Sequence, residues 1–460
     1  MNKSGQVTFF VIIGLVAITT ILIGFYARDY VVKTILGREL DENIVVPERI
    51  KPVQNFVLSC LRESGEKAIK LIGQQGGYTT IPRDPYGLTQ LNLISNALTI
   101  YGNNKIAYWF YEQPNKVQIK QIPTEEDINE EISAFIEEDI ITCLNNFRDF
   151  NEYEIIQGDL IANTALNEDE ISVSIDFPIK IKIQDFEFKI NKFSQTINSP
   201  LLSLYESAVE IFDNLNSDNT LEHKTLTMLS VYEEIPFSGT TDDCIAPIWT
   251  LDKVKEDLKK IIFNNIQALK IKGTNYELSE NENSYFEIDP YLDDKDLQVN
   301  FLYSENWPIE MDVNPRDGNL LKAQSVTSKL GPLRGLAEGF ACISTYHFIY
   351  DIKYPVLIIL NKDGYTFQFA TQVVIDNNEP RKQTIFANSI EGFDSRICDA
   401  RKQELTVFTK DINNRPLDDV NIEYKCVSKI CDIGKTGLNN LNDAVLTEKY
   451  PQCLNGAIIG

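Results

Sequence analysis

The chain has 460 residues, of which 67 are acidic and 43 basic, so its formal net charge at pH 7 is −24. This balance argues against nucleic acid as a partner, because nucleic-acid interfaces need basic patches. The negative net charge argues equally against binding of anionic lipid by any part of the chain that lies outside a membrane. Hydrophobic residues make up 43% of the chain, which is enough for packed cores in the two or three domains that the length predicts.

The first element is an uncharged run of 20 residues, Val7–Tyr26. At about 1.5 Å rise per residue, such a helix spans about 30 Å, the thickness of the hydrocarbon core of a bilayer. A secretory signal has a shorter apolar region of about 7–15 residues and ends at a small-residue cleavage site. Here the run is longer, and Phe25 and Arg28 border it as at a membrane interface. We therefore predict a transmembrane anchor over residues 1–27 and a juxtamembrane stalk over residues 28–51.

The residues before this run carry a family resemblance. Lys3, Gly5 and Gln6 lead directly into the apolar stretch, which resembles the class III, prepilin-like signal of archaea, where the helix after the cut forms the core of a filament. The sequence departs from that pattern at Phe10, where such segments carry a glutamate. The whole chain, rich in Lys, Ile and Asn, resembles uncharacterised membrane-anchored surface proteins of archaea. That group implies no particular activity.

Cysteine usage bears on the location of the body. Eight cysteines follow the apolar run: Cys60, Cys143, Cys244, Cys342, Cys398, Cys426, Cys431 and Cys453. There is no CxxC pair and there are only two histidines, His223 and His347, whereas zinc sites need close pairs of Cys or His. The even number of cysteines is better explained by disulfides than by free thiols or a metal site. Disulfides persist in an oxidising compartment. The amino terminus would then be cytoplasmic and the residues after about 27 extracellular, an orientation that the charges flanking the run do not decide.

Two amphipathic helices are predicted in the first part of the body. A helical apolar stripe begins at Pro52 and ends at Gly76 and Gly77, which are typical of a helix C-terminus. A second stripe covers residues 124–147. Its start, with Thr124 followed three residues later by an aspartate, resembles a capping box.

Both helices carry a cysteine on the apolar stripe. Cys60 lies on the first stripe and Cys143 on the second. Helices that bury these stripes against each other bring the two sulfurs together. We therefore predict a Cys60–Cys143 disulfide.

Extended segments follow in three blocks. The runs IAYWFYE and KVQIKQI, separated by Gln-Pro-Asn, predict a hairpin between the two helices. In residues 173–190 the apolar positions alternate and change parity at Gln184-Asp185, as in a tight hairpin with one face on the core and one in water. A third block over residues 346–375 contains the turn Asn361–Gly364, and its second strand has an apolar face from Tyr365 to Ile375.

The remaining segments complete the fold prediction. Helices are predicted over residues 201–215 and 251–271, and the acidic stretch 278–296 is predicted to be a loop. We expect a mixed α+β chain with a disulfide-braced body of helices and antiparallel sheet. Its predicted domains are 52–200, with the helix pair and a hairpin, and 201–400.

The last part, residues 401–460, has a different rhythm. A strand ending at Asp411 leads through a turn to Pro416-Leu417-Asp418-Asp419-Val420, which resembles the carboxypeptidase-regulatory-like family of small β-sandwiches. The resemblance implies a β-sandwich module that acts as a spacer or binding accessory. We expect its strand pattern to continue past residue 460.

No arrangement typical of catalysis stands out. Cys342, His347 and Asp351 lie close in sequence, but residues five apart in a strand point to opposite faces, so we predict a disulfide cysteine and a packed histidine. We predict neither enzymatic activity nor a cofactor or metal. The function predicted is structural or adhesive binding at the cell envelope, with the membrane, other envelope proteins or surface glycans as partners. A pilin-like filament subunit and a membrane-anchored hydrolase with an unrecognised site are the alternatives.

Overall fold

The computed structural model describes residues 46–82, 93, 95–100, 104–113, 116–242, 245–278, 283–325, 343–382, 398, 401–411, 415–426, 429–440, 442–451 and 457–460. The predicted anchor lies outside these ranges, as does most of the predicted stalk. Within them, no helix has both the length and the apolar character needed to cross a membrane.

The described chain is mixed α+β. Its helices are α1 (Lys51–Gln74), α2 (Glu125–Leu144), α3 (Leu201–Ser217), α4 (Thr220–Val231), α5 (Leu251–Ala268) and the single turn α6 (Asn283–Phe286). The strands up to residue 302 are β1 (Ala97–Thr99), β2 (Lys105–Glu112), β3 (Gln118–Lys120), β4 (Glu154–Gln157), β5 (Ile161–Leu166), β6 (Glu170–Ile183), β7 (Phe186–Asn198), β8 (Ser238–Thr241), β9 (Ile248–Thr250), β10 (Lys270–Ile271), β11 (Glu287–Ile288) and β12 (Gln298–Leu302). The later strands are β13 (Glu310–Asn314), β14 (Leu320–Lys322), β15 (Gln324–Ser325), β16 (Ser344–His347), β17 (Ile349–Lys362), β18 (Tyr365–Asp376), β19 (Glu379–Pro380), β20 (Arg401–Phe408), β21 (Asn421–Cys426), β22 (Lys429–Lys435), β23 (Gly437–Leu438), β24 (Ala444–Pro451) and β25 (Ala457–Ile459).

The chain divides into two compact units. The described part of the first comprises residues 46–62, Ile140–Ile161 and Ser174–Gln195, and the second contains Glu63–Asp139, Ala162–Val173 and the chain from Thr196 onward. The predicted domain boundaries near residues 200 and 400 stay predictions.

The two predicted helices of the first part are confirmed. Helix α1 buries an apolar stripe and ends at Gly76 and Gly77, whose φ angles of 74° and 94° lie in the left-handed region. The N–H of Gly77 donates to the carbonyl of Ile72 at 2.9 Å, as in a helix C-cap. At the start of α2, Thr124 and Asp127 exchange hydrogen bonds of 2.7 and 3.1 Å, so the capping box is also confirmed.

The predicted Cys60–Cys143 disulfide is confirmed. Its sulfurs are 2.08 Å apart and its Cα atoms 5.7 Å apart. Both cysteines belong to the first unit. A second disulfide joins Cys398 to Cys431.

The hairpin predicted around Gln184-Asp185 is confirmed as β6 and β7. The inward residues of β6 are buried: Ile171, Val173, Ile175, Phe177, Ile179 and Ile181. Gln184, in the turn, has a φ of 54°. Strand β6 also pairs with β4 and β5, which makes a four-stranded sheet.

The second unit is built on a larger sheet. Its order is β1-β2-β18-β17-β12, with β3 on β2, β13 on β17 and β19 on β18. Strands β17 and β18 form the predicted hairpin, with Asp363 and Gly364 in its turn at φ of 51° and 81°. The hairpin predicted before α2 is also confirmed, as β2 and β3. The indole of Trp109 stacks on Phe369 at 4.1 Å and donates to the carbonyl of Gly76 at 2.9 Å, which fixes the centre of this core.

Three predicted boundaries need correction. The helix predicted to run to residue 271 ends at Ala268, and Lys270–Ile271 pair with Glu287–Ile288 as strands. The stretch predicted as an acidic loop therefore contains the short strand β11 and, before it, the single turn α6. The helix predicted to reach residue 147 ends at Leu144, and Asn145–Phe147 form a tighter turn. Helix α4 was not predicted.

The chain from residue 401 forms two three-stranded sheets, β20-β24-β23 and β22-β21-β25. Strands from both sheets contribute to one hydrophobic cluster, which includes Ile422, Tyr424, Cys431 and Tyr450. The disulfide partner Cys398 packs against that cluster. The N–H of Asp411 donates to the carbonyl of Arg415, and the N–H of Arg415 donates to the carboxylate of Asp411, each at 2.8 Å.

Candidate functional site

A cleft of about 620 Å³ opens in the second unit at the end of the large sheet. We call it the charged cleft. Five apolar residues form part of its wall: Ile309, Met311, Ile352, Val374 and Ile375. Its volume lies within the range of about 300–1,000 Å³ that is usual for small-molecule sites.

Charged groups dominate the rest of the wall. The basic residues are Lys116, Lys255, Lys353, Arg381 and Lys382, and the acidic residues are Glu112, Glu310, Asp312, Asp351 and Asp376. Gln118 is the remaining described residue of the lining. The described side chains of the cleft therefore balance in formal charge, in a chain whose net charge is −24.

The cleft begins where the pairing of β2 with β18 ends. The two strands are parallel, and their recorded pairs are Tyr108 with Ala370 and Phe110 with Thr371. One residue further along β18, the side chain of Gln372 accepts the backbone N–H of Glu112 at 2.9 Å. The buried side-chain amide of Gln372 thus accepts the N–H of Glu112 in place of a main-chain carbonyl.

Lys353, on β17, lines the cleft. Its cross-strand neighbours are Glu310 on β13 and Val374 on β18. The ammonium lies 3.3 Å from a carboxylate oxygen of Glu112 and 3.8 Å from one of Glu310. The side chains of Lys353 and Glu112 are only 11% and 10% exposed. The two charges are therefore held in one place at low solvent exposure, where removal of either leaves the other uncompensated.

Arg381 is the most buried charge of the cleft and follows the short strand β19. Its guanidinium donates to Glu222 at 3.2 Å, to Gln118 at 3.4 Å and to Asn216 at 2.5 Å. The same group lies 3.9 Å above the ring of Phe110. Arg381 therefore fills most of its donor capacity within the protein, and the planar face adds a cation–π contact.

Burial acts against both charges of the Arg381–Glu222 pair. It raises the pKa of the Glu222 carboxyl, and the nearby guanidinium lowers it only in part. It also lowers the pKa of Arg381, which Glu222 partly offsets. Since a guanidinium remains protonated in proteins, Arg381 keeps its positive charge at the cleft wall, beside the carboxyl of Glu222.

The cysteines predicted as disulfide candidates do not contribute to this cleft. Cys60, Cys143, Cys398 and Cys431 form the two disulfides described above. Cys244, Cys342 and Cys453 lie outside the described residues. For Cys426 the structure describes the backbone, within β21, but not the side chain.

The predicted packing of His347 is wrong. The residue ends β16, in which Ser344 is buried and His347 is exposed. Its ring contacts the edge of Phe237, with the ring centres 6.4 Å apart. The alternation of the strand turns the imidazole toward solvent while the next residue, Phe348, is buried. Asp351 lines the charged cleft and accepts the backbone N–H of Asn377 at 2.7 Å.

Apart from Asp351, the residues that build the cleft were not predicted from the sequence. Lys353 and Glu112 did carry a signal, because each is a charge within or at the end of a strand that is otherwise apolar. Arg381 and Glu222 carried none, since they lie in polar surroundings in the sequence. In the described part of the chain, no group of three His, Cys, Asp or Glu side chains is placed to hold a metal ion.

Comparison of the chain with protein-family models, with curated proteins and with solved structures finds no match.

Proposed function

We propose that the chain is a single-pass, amino-terminally anchored protein whose body lies outside the cell and has a structural or adhesive binding role at the envelope. The observation that carries this proposal is the pair of disulfides, Cys60–Cys143 and Cys398–Cys431. Each braces a different part of the body. Stable structural disulfides belong to oxidising compartments and are rare in the cytosol.

The sequence of the amino-terminal segment supports the same location. Val7–Tyr26 contains no charged residue and has the length of a membrane span. All eight cysteines follow it, so a body with disulfides lies on the far side of the membrane from the amino terminus.

The charged cleft supports a binding role. Lys353 and Arg381 are held by carboxylates rather than left free to attack or to transfer protons. Fixed charges of both signs beside an apolar wall favour a ligand that offers both donors and acceptors and little net charge. The cleft would then be the surface through which the body contacts another envelope component.

The anchor is tested by two charges in the apolar run. Ile13→Asp together with Leu15→Asp should release the protein from membranes, because each central charge costs about 2.5–3.5 kcal/mol on insertion scales. Fractionation of cell extracts measures the release. A double variant that still sediments wholly with membranes would show that another element holds the protein there.

The location is tested on intact cells with an amine-reactive label that does not cross membranes. The exposed lysines of the body should be labelled before lysis. Labelling that appears only after lysis contradicts an outside location.

The binding role is tested with isolated envelope fragments and the purified full chain. Lys353→Met should weaken attachment to the fragments, whereas Lys180→Met, which removes an exposed lysine of β6, should not. Equal binding by the two variants, with both folded, would remove the charged cleft from the proposal.

A further inference from the structure

A second hollow, of about 570 Å³, lies in the second unit and differs from the charged cleft in chemistry. It is lined by the end of α1, residues 79–81, Ile100, Asn104 and Lys105, and the start of β18. Of the eleven described residues that line it, only Lys105 is charged, in a chain of which 24% is charged. We call it the amide pocket.

Several side-chain amides line the pocket. Those of Gln74, Gln75 and Asn104 make no hydrogen bond to another described residue, and Gln74 and Asn104 are exposed, so their amides are open to a ligand as well as to water. Each amide offers two donors and one acceptor oxygen. The hydroxyl of Thr80 adds a further donor and acceptor at the rim.

The walls that carry these groups are fixed. Glu131 accepts the backbone N–H of Thr79 at 2.9 Å and that of Thr80 at 3.3 Å. The amide of Gln368 donates to the carbonyl of Gln74 at 2.7 Å, which joins α1 to β18.

The helix and strand also touch directly at Gly73. A Cβ atom added there would lie 2.2 Å from the carbonyl oxygen of Thr366. Because glycine allows this close approach, the backbones of α1 and β18 lie directly against each other beside the pocket.

Apolar groups alternate with the amides. Leu71, Ile81 and Ile100 line the same hollow. A ligand that fits must therefore present many hydrogen-bonding groups, no charge and some C–H surface. We propose that the amide pocket binds a neutral saccharide, whose vicinal hydroxyls suit planar amides and whose ring C–H groups suit the aliphatic side chains.

Other ligand classes match less well. Among the described lining residues, an anionic ligand would meet a single ammonium, that of Lys105, and a cationic ligand would meet no carboxylate. A lipid would leave the amides unpaired, which costs free energy. The proposal goes beyond the envelope role proposed above and does not depend on the ligand of the charged cleft.

The test uses the purified full chain in a detergent without sugar headgroups and an array of neutral and acidic oligosaccharides. We expect binding to one or more neutral oligosaccharides. The double variant Gln75→Leu, Asn104→Leu should bind about tenfold more weakly, since two lost hydrogen bonds amount to about that factor. The matched control, Asn151→Leu with Gln157→Leu, makes the same changes at exposed positions outside the pocket and should bind as the parent does.

Three results would overturn the proposal: no binding to any neutral oligosaccharide, binding to acidic oligosaccharides alone, or equal loss in the pocket variant and its control. Thermal unfolding of the variants confirms that both fold. The attachment of the chain to envelope fragments through Lys353 is measured separately. A failure here with that attachment intact would reject the saccharide alone and leave the envelope role standing.

Discussion

The two long hairpins of the molecule have nearly the same form and opposite surroundings. β6–β7 and β17–β18 both turn over two residues and both have strands of 12 to 14 residues. In the first, alternate residues face water, and the ion pair between Lys180 and Glu187 is 40% and 49% exposed. In the second, Phe369 and Ala370 are both buried although they face opposite sides of the strand. Lys353 on that hairpin is 11% exposed.

The difference shows what a charge in a strand means. On a hairpin with one solvent-facing side, a lysine on that side is ordinarily solvated, and its ion pairs contribute little to stability. On a hairpin covered on both sides, a lysine must have a partner, because burial of an uncompensated charge is costly. Lys353 is a lysine of the second kind, and it lines the charged cleft. The covered hairpin β17–β18 therefore contributes residues to a candidate ligand site, whereas β6–β7 contributes none to the charged cleft.

The largest effect is expected from Arg381→Met. The change leaves the carboxylate of Glu222 buried without its partner, so the free energy of unfolding should fall by about 3–5 kcal/mol. The matched change Lys180→Met in the exposed hairpin should cost less than about 1 kcal/mol. Urea unfolding followed by far-UV circular dichroism measures both.

A second variant separates the ion pair from general packing. Arg381→Met combined with Glu222→Met should recover much of the lost stability, because no buried charge remains. Equal stability losses in the single and double variants would contradict the role assigned to the pair.

A smaller effect is expected from Asp294→Asn, beside the end of β17. Asp294 accepts Lys362 at 2.8 Å and the backbone N–H groups of Asp296 and Leu297. Partial burial raises the pKa of Asp294, but these donors lower it by more, so the net pKa lies below its ordinary value. An asparagine keeps an acceptor oxygen and loses the charge, which should cost about 1 kcal/mol at pH 7.

The same variant carries a pH signature. A carboxylate with a depressed pKa stabilises the fold above its unfolded pKa of about 3.9, and that contribution is lost as the pH falls toward the lower pKa of the folded state. The stability gap between the parent and Asp294→Asn should therefore close in acid. A gap that is constant from pH 7 to about pH 3 would contradict the pairing of Asp294 with Lys362.

The smallest effect is expected in the turn of the exposed hairpin. Gln184 has a φ of 54°, a conformation that side chains rarely adopt, whereas Gly364 at the corresponding end of β17–β18 has a φ of 81° at no such cost. Gln184→Gly should leave the free energy of unfolding unchanged or raise it by about 0.5 kcal/mol. Gly364→Ala should lower it by about 1 kcal/mol. A loss in the first variant as large as in the second would show that the side chain of Gln184 matters more than its backbone.

Local patterns predicted much of the fold. The capping pair Thr124 and Asp127 marked a helix start, and the parity change at Gln184-Asp185 marked a turn, because each signal lies within a few residues. The Cys60–Cys143 bond followed from two apolar stripes that had to be buried. The first two signals lie within a few residues of the structure they predict. The third depends only on the burial of apolar stripes.

The elements that were missed lack such a pattern. Helix α4 buries Glu222 and Thr225 among its apolar residues. These two polar residues interrupt the apolar stripe in the sequence, and the burial of Glu222 makes sense only with its partner. That partner, Arg381, comes from a distant part of the chain, as does Glu112 for Lys353. The charged cleft depends on these long-range pairs and therefore could not be read from spacing in the sequence.

The central claim is an extracellular, disulfide-braced body that carries these sites. The most direct test is non-reducing peptide mapping of the protein from native envelopes, with free thiols blocked at lysis. The account predicts a peptide pair linked through Cys60 and Cys143 and another linked through Cys398 and Cys431. Finding these four cysteines as blocked free thiols would contradict both the braces and the outside location.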